Sequence, residues 1–217
     1  DSYSSTLNKD PCTLQPFFLM AQTALHEAGG FLRQFLVDDK GCVFIAMWGV
    51  PSFTYSNNCS RALYCSAKII EGTSSLGQRC SIGIATGTVF CGSVGALERR
   101  DYVGVGTDVN IAARLMGKAH GRILIDPATY RSLNSETQTL LTAAEEMNLK
   151  GLAGPTVPYQ YVSKELPRMT DIDVEAAQLS VLRPKMQSAL SKLLDAFMNV
   201  SSDTTVEILE KKLTVTF

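Results

Sequence analysis

Asn110 and Arg114 stand four residues apart in a run, Thr107 to Lys118, whose periodicity predicts a helix. An amide and a guanidinium therefore share one helical face. By themselves they read as the solvated side of an amphipathic helix. The residues before them, from Ser81, read as a buried strand, a glycine-rich turn and a second strand. Thiol and imidazole chemistry has less to work with. There are six cysteines, no CxxC pair and only two histidines, His26 and His120, which argues against a structural zinc site. An even cysteine count is compatible with disulfides, but a chain this long and apolar needs no disulfide scaffold. Free, mostly buried thiols in a reducing cytosol are the better reading. Asn58-Cys59-Ser60 and Asn199-Val200-Ser201 match the glycosylation triplet, a pattern common by chance.

The whole chain has 217 residues, 45% hydrophobic and 19% charged, so it can build a sizeable core. With 20 basic against 21 acidic residues the net charge is −1, which removes the bulk electrostatic argument for nucleic acid or anionic membrane. The apolar run Pro16 to Met20 is too short to span a bilayer and lacks a signal-peptide layout. The expectation is a cytoplasmic domain with no nucleic-acid partner and no membrane contact of its own.

The elements that must position these groups emerge from periodicity. Residues 1–13 are polar and read as a linker or frayed end. Residues 14–28 read as a helix, with Phe17, Met20, Ala21, Leu25 and Ala28 at helical spacing before Gly29-Gly30. Phe31–Val37 and Cys42–Trp48 flank an Asp/Gly turn and predict a hairpin. A helix over 57–71 carries Ala62, Leu63, Ala67 and Ile70 on its buried stripe, ended by a turn cluster from Gly72 to Gly77. Strands are expected at Arg79–Thr86 and Asp101–Val105, and the helix from Thr107 is expected to be capped by Thr107 or Asp108. Then come a strand at Ile123–Ile125, a short helix at Pro127–Leu133, and strands near Glu146–Leu149 and Pro158–Val162. This order predicts an α+β domain of the ferredoxin-like type, a mostly antiparallel sheet with helices on one face. Such a unit opens with a strand before its first helix, and residues 1–13 offer none. Residues 164–217 add a helix, with Leu182, Met186, Leu190, Leu193, Leu194 and Phe197 at helical spacing, and a terminal strand-like run from Lys212. That helix reads as a packing element of the domain or as an interdomain or dimerising one.

The segment Ser81–Asp126 resembles the catalytic domain of class III nucleotide cyclases. Ser81, Gly83, Gly87, Gly92, Gly95, Tyr102, Gly106, Val109, Asn110, Ala112, Ala113 and Arg114 match the family's pattern in order. Asp39-Lys40-Gly41-Cys42 and Trp48-Gly49-Val50-Pro51 are similar to the second cyclase half of the soluble, bicarbonate-responsive type, and Lys150-Gly151 and Tyr159-Gln160-Tyr161 to the closing strands. The resemblance covers about residues 14–163. Glu210 to Phe217 resembles the lead-in to a first cyclase strand. Either a second cyclase domain would come after it, or this strand replaces the missing one.

The resemblance implies an adenylyl cyclase half that makes cyclic AMP and pyrophosphate from ATP at a dimer interface. Asn110 would orient the ribose, Arg114 would stabilise charge on the reacting phosphate, and Lys150 would hold the terminal phosphates. Gln34 and Val103 fall at the base-contacting positions. The required Mg²⁺ or Mn²⁺ would come from a partner half, intramolecular or homodimeric, because Gly41-Cys42 stands where the metal half reads Gly-Asp. A thiol is a poor ligand for so hard a cation. A small regulator such as bicarbonate is a further implication. The other reading is a catalytically degenerate cyclase-homology module with a regulatory or architectural role.

Overall fold

The computed structural model describes residues 14–38, 41–150, 152, 154–167, 169 and 212–216. Helix α1 (Leu14–Glu27) buries Phe17, Ala21, Ala24 and Leu25 and stops before the two glycines, as its spacing requires. The hairpin is formed by β1 (Phe31–Asp38) and β2 (Gly41–Met47), antiparallel with Asp38 opposite Gly41. Helix α2 (Asn58–Ser75) is a turn longer than its periodicity suggested. Gly72 does not break it, because α1 crosses there: a Cβ at Gly72 would lie 2.6 Å from Met20 Sδ. The hydroxyls of Thr73, Ser74 and Ser75 donate to carbonyls one turn back, bonds that a helix accommodates along its serine-rich end.

Next come β3 (Ile82–Ile84), β4 (Thr86–Gly95), β5 (Arg100–Val105) and helix α3 (Thr107–Ala119). The N-cap of α3 is Gly106, with no side-chain cap. Thr107 and Asp108 lie inside the first turn, where the acid still suits the helix dipole. The remainder is β6 (Ile123–Ile125), α4 (Pro127–Ser132), α5 (Ser135–Gln138), β7 (Leu141–Ala143), β8 (Tyr159–Tyr161) and β9 (Lys212–Thr216). The late strand expected at Glu146–Leu149 falls instead at β7, and that stretch keeps only a single bridge, Met147 to Thr156. Helix α5 was not legible in the sequence; Asn134 caps it by accepting from the Thr137 amide.

The strands pair as three sheets: β1-β2, β3-β6-β8-β7 and β5-β4-β9, all antiparallel except β3 with β6. Residues alternate between faces along β3 and β4. Gly83 lies under α3, while Thr86 reaches Cys59 of α2 at 3.4 Å. Helices therefore lie on both faces rather than on one. The α3 face holds one cluster, in which Met47, Ala85, Val89, Ile111, Leu115, Leu124 and Leu149 are buried together. The described residues 14–167 and 212–216 fall in one compact unit. The helix expected over Leu182–Phe197 and the linker at 1–13 lie outside the described residues. Among the described residues no helix is long and apolar enough to cross a membrane. The five described cysteines are free thiols.

One buried carboxylate ties the β3–β4 junction to helix α4. Asp126 Oδ1 accepts the Thr129 amide at 2.8 Å, capping α4, and the Thr86 amide at 3.3 Å. Asp126→Ala leaves both amides without that acceptor in a buried setting. The expected loss is about 2–3 kcal/mol, read as a lower urea midpoint at an unchanged slope.

Candidate functional site

The site is built on helix α3. Ile111, Ala112, Leu115 and Ala119 are buried in the cluster, so the opposite flank is left to Asn110, exposed, and Arg114, half-buried. The expected pairing of these two on one face is what the helix delivers. Lys150 is exposed and directly succeeds Leu149, which inserts into the same cluster as Ile111 and Ala112. Among the described residues, no side-chain hydrogen bond or ion pair engages Asn110, Arg114 or Lys150. Their polar groups are available to a ligand.

Gln34 reaches the same side through an irregularity. In β1, Leu32 faces Ala46 and Gln34 faces Ile45, so Arg33 is the extra residue of a β-bulge. Partners across an antiparallel pair share a face, and Ile45 shares its face with Met47, a member of the α3 cluster. The bulge therefore turns Gln34 onto the face of Phe31 and Met47. Without it, Gln34 would turn to the other side. Phe31 packs on Tyr102 of β5, ring centroids 5.7 Å apart, and on Phe53 at 5.5 Å. These contacts bring β1 beside β5. Val103 is the next residue after Tyr102 and, by alternation, turns away from the cluster into which Tyr102 packs. Asn110 and Arg114 thus share the open flank of α3, Lys150 directly follows Leu149 of the α3 cluster, Gln34 lies on the face of β1 that carries Phe31, and Val103 is left on the other face of β5. The aromatic clasp of Phe31, Phe53 and Tyr102 had no local signal, since its members lie on separate elements.

The donors that the described residues place at the start of β2 and beside α4 do not suit a hard divalent cation. Cys42, at the start of β2, is half-buried, and desolvation pushes its thiol up to about 11. It keeps its proton at neutral pH and offers soft sulfur rather than oxygen. Asp126 is occupied as a cap. Asp108 beside it is raised above the usual carboxylate range, first by burial and then by the Asp126 charge. Among the described residues no three His, Cys, Asp or Glu side chains gather as a metal site.

Comparison with known proteins agrees with this architecture. Residues 45–163 match the family model described as the adenylate and guanylate cyclase catalytic domain. Adenylate cyclase type 10 of Homo sapiens is 31% identical over 150 residues, 68% of this chain and 9% of that protein. The Rattus norvegicus protein of the same name is 33% identical over 133 residues, 60% of this chain and 8% of that one. The chain thus spans less than a tenth of these relatives. Among solved structures, the adenylyl cyclase CyaB from P. aeruginosa superposes with a TM-score of 0.64 at 22% identity, covering 76% of this chain and 91% of that one. The guanylyl cyclase Cya2 gives 0.60 at 21%, covering 72% and 82%. The matched segment contains the α3 platform with its Asn110–Arg114 face and the loop that delivers Lys150, and the shared fold extends beyond it. The chain belongs to the class III adenylate and guanylate cyclase catalytic domain family.

Proposed function

We propose that this domain is one half of a composite adenylyl cyclase, forming cyclic AMP and pyrophosphate from ATP against a second cyclase half. The observation that carries this reading is the open flank of α3, which presents an amide and a guanidinium on one face without competing side-chain partners among the described residues. Attack of the ribose 3′-oxygen on the α-phosphorus expels pyrophosphate and builds negative charge on the phosphoryl oxygens. Asn110 holds the ribose in line for that attack. Arg114 presents a planar, permanent cation to the developing charge, and Lys150 neutralises the terminal phosphates as a point charge. Gln34 hydrogen-bonds the purine in either amide orientation, while Val103, turned to the other face of β5, takes no part in holding the base. Divalent ions in such a reaction activate the attacking oxygen and offset phosphate charge. Their carboxylate ligands belong to the partner half, intramolecular or from a second copy, because Cys42 cannot supply one here. A small anion such as bicarbonate is the class of regulator this reading admits, in a cytoplasmic setting.

The test is cyclic AMP and cyclic GMP production with Mg²⁺ or Mn²⁺ by the 217 residues alone and by the full-length protein. Product is expected only from the full-length protein, and its base names the preferred nucleotide. Turnover by the 217 residues alone would overturn the division of labour between halves. A folded full-length protein that makes neither product favours the second reading, a cyclase-homology module with a regulatory or architectural role. Cys42 and Val103 are the residues that speak for it.

A further inference from the structure

Successive side chains of a regular strand point to opposite faces, so two polar neighbours are normally split between them. The bulge in β1 makes Arg33 and Gln34 an exception. Leu32 pairs with Ala46 and Gln34 with Ile45, which leaves Arg33 and Gln34 together opposite the single residue Ile45. Both therefore belong to the face of Phe31 and Met47. That face is open toward the hairpin turn: Gln34 is exposed, Arg33 is half-buried, and Leu36, the next residue on it, keeps 44% of its surface exposed. On the other side stands the clasp of Phe31 on Tyr102, which holds β5 alongside. Val103 turns away from it, so the base-contacting position of β5 adds no polar side chain.

The Arg33 guanidinium is uncommitted. Among the described residues Arg99 pairs with Asp101, Arg61 lies over the Tyr55 ring, and Arg79 and Arg122 donate to backbone carbonyls, whereas no side-chain hydrogen bond or ion pair engages Arg33. Its N–H donors are left to water or to a ligand. A guanidinium fork only donates, and it matches two acceptors lying side by side. Guanine presents such a pair at O6 and N7, whereas adenine presents N7 beside the N6 amino donor. The Gln34 amide has one donor end and one acceptor end and suits either base. We propose that Arg33 is a base-contacting residue that reads the O6/N7 edge, and that the site therefore accepts GTP as well as ATP. The assignment rests on the reading of this domain as a nucleotide site, and it gives the bulge a purpose. In regular register one of the two side chains would turn to the other face.

The test reads binding in this domain without turnover. Full-length protein is photo-labelled with 8-azido-ATP in the presence of Mg²⁺, and labelling is scored only in peptides from residues 14–163. ATP, GTP and 7-deaza-GTP, which lacks one of the two acceptors, compete for the label. In the parent protein ATP and GTP are expected to compete within about tenfold of each other, and 7-deaza-GTP about fivefold less well than GTP. Arg33→Ala weakens GTP about tenfold, leaves ATP within about threefold, and abolishes the difference between GTP and 7-deaza-GTP. Arg33→Lys keeps the charge without the fork and falls between the two, and unchanged urea midpoints show that both variants are folded. Labelling of the domain with GTP competition unaltered in Arg33→Ala overturns the role of Arg33 and leaves the nucleotide site standing. Equal weakening of ATP and GTP overturns it too, because a structural role does not distinguish bases. Absence of competable label from the domain overturns the nucleotide site and the assignment together.

Discussion

Replacing Arg114 by alanine in the full-length protein is expected to lower kcat by about 10²- to 10³-fold while leaving nucleotide affinity within a few-fold. The expectation rests on where Arg114 sits. Its helix is fixed from below by Ile111, Ala112 and Leu115, so truncation at the surface leaves the platform in place. No partner among the described residues is lost with it. What disappears is a cation matched to charge that grows only in the transition state, and such a loss falls on kcat rather than on KM. Arg114→Lys restores charge without the planar fork and recovers only part of the rate. An unchanged urea midpoint separates this result from unfolding. Turnover equal to that of the parent protein in both variants would remove Arg114 from the chemistry.

The second large effect is on stability. A Cβ at Gly83 would lie 2.1 Å from the Ala112 carbonyl oxygen and 2.4 Å from the Met116 amide nitrogen. Both are backbone atoms of α3, so no side chain can rotate to make room. Gly83→Ala is expected to cost about 3 kcal/mol through overpacking, and to lower Tm by roughly 10 °C for a domain of this size. Because the helix that must shift carries Asn110 and Arg114, activity falls with it. Gly117→Ala on the same helix is the control. Nothing lies within 4 Å of that position, and replacing a mid-helix glycine there stabilises by about 0.5–1 kcal/mol. Equal thermal stability of the two variants would mean that α3 does not press on β3 as described.

Much of the fold was legible in the chain because the signals are local. Periodicity placed α1, the hairpin, α3 and β6 to within a residue or two, since apolar spacing is written in neighbouring positions. The four-residue spacing put Asn110 and Arg114 on one helical face, and the ordered glycines around them carried the family. Thr107 and Asp108 show where local reasoning stops. Both are good capping residues, yet Gly106 takes the cap and Asp108 packs in the first turn against Gly87.

What only the tertiary structure decided is how distant segments meet. The bulge at Arg33 appears only once β1 is registered against β2, and it sets the face that Gln34 presents. Leu149, just before Lys150, is drawn into a cluster assembled from both ends of the domain. The fate of the terminal strand was equally open in sequence, where Lys212–Phe217 fitted either a further domain or the missing strand. Pairing of β9 with β4 is a contact across more than a hundred residues of chain, set by which backbone edge is left unpaired. The order of residue types determines local conformation and buried stripes. The free edges, faces and partners emerge only when those stripes are packed against one another.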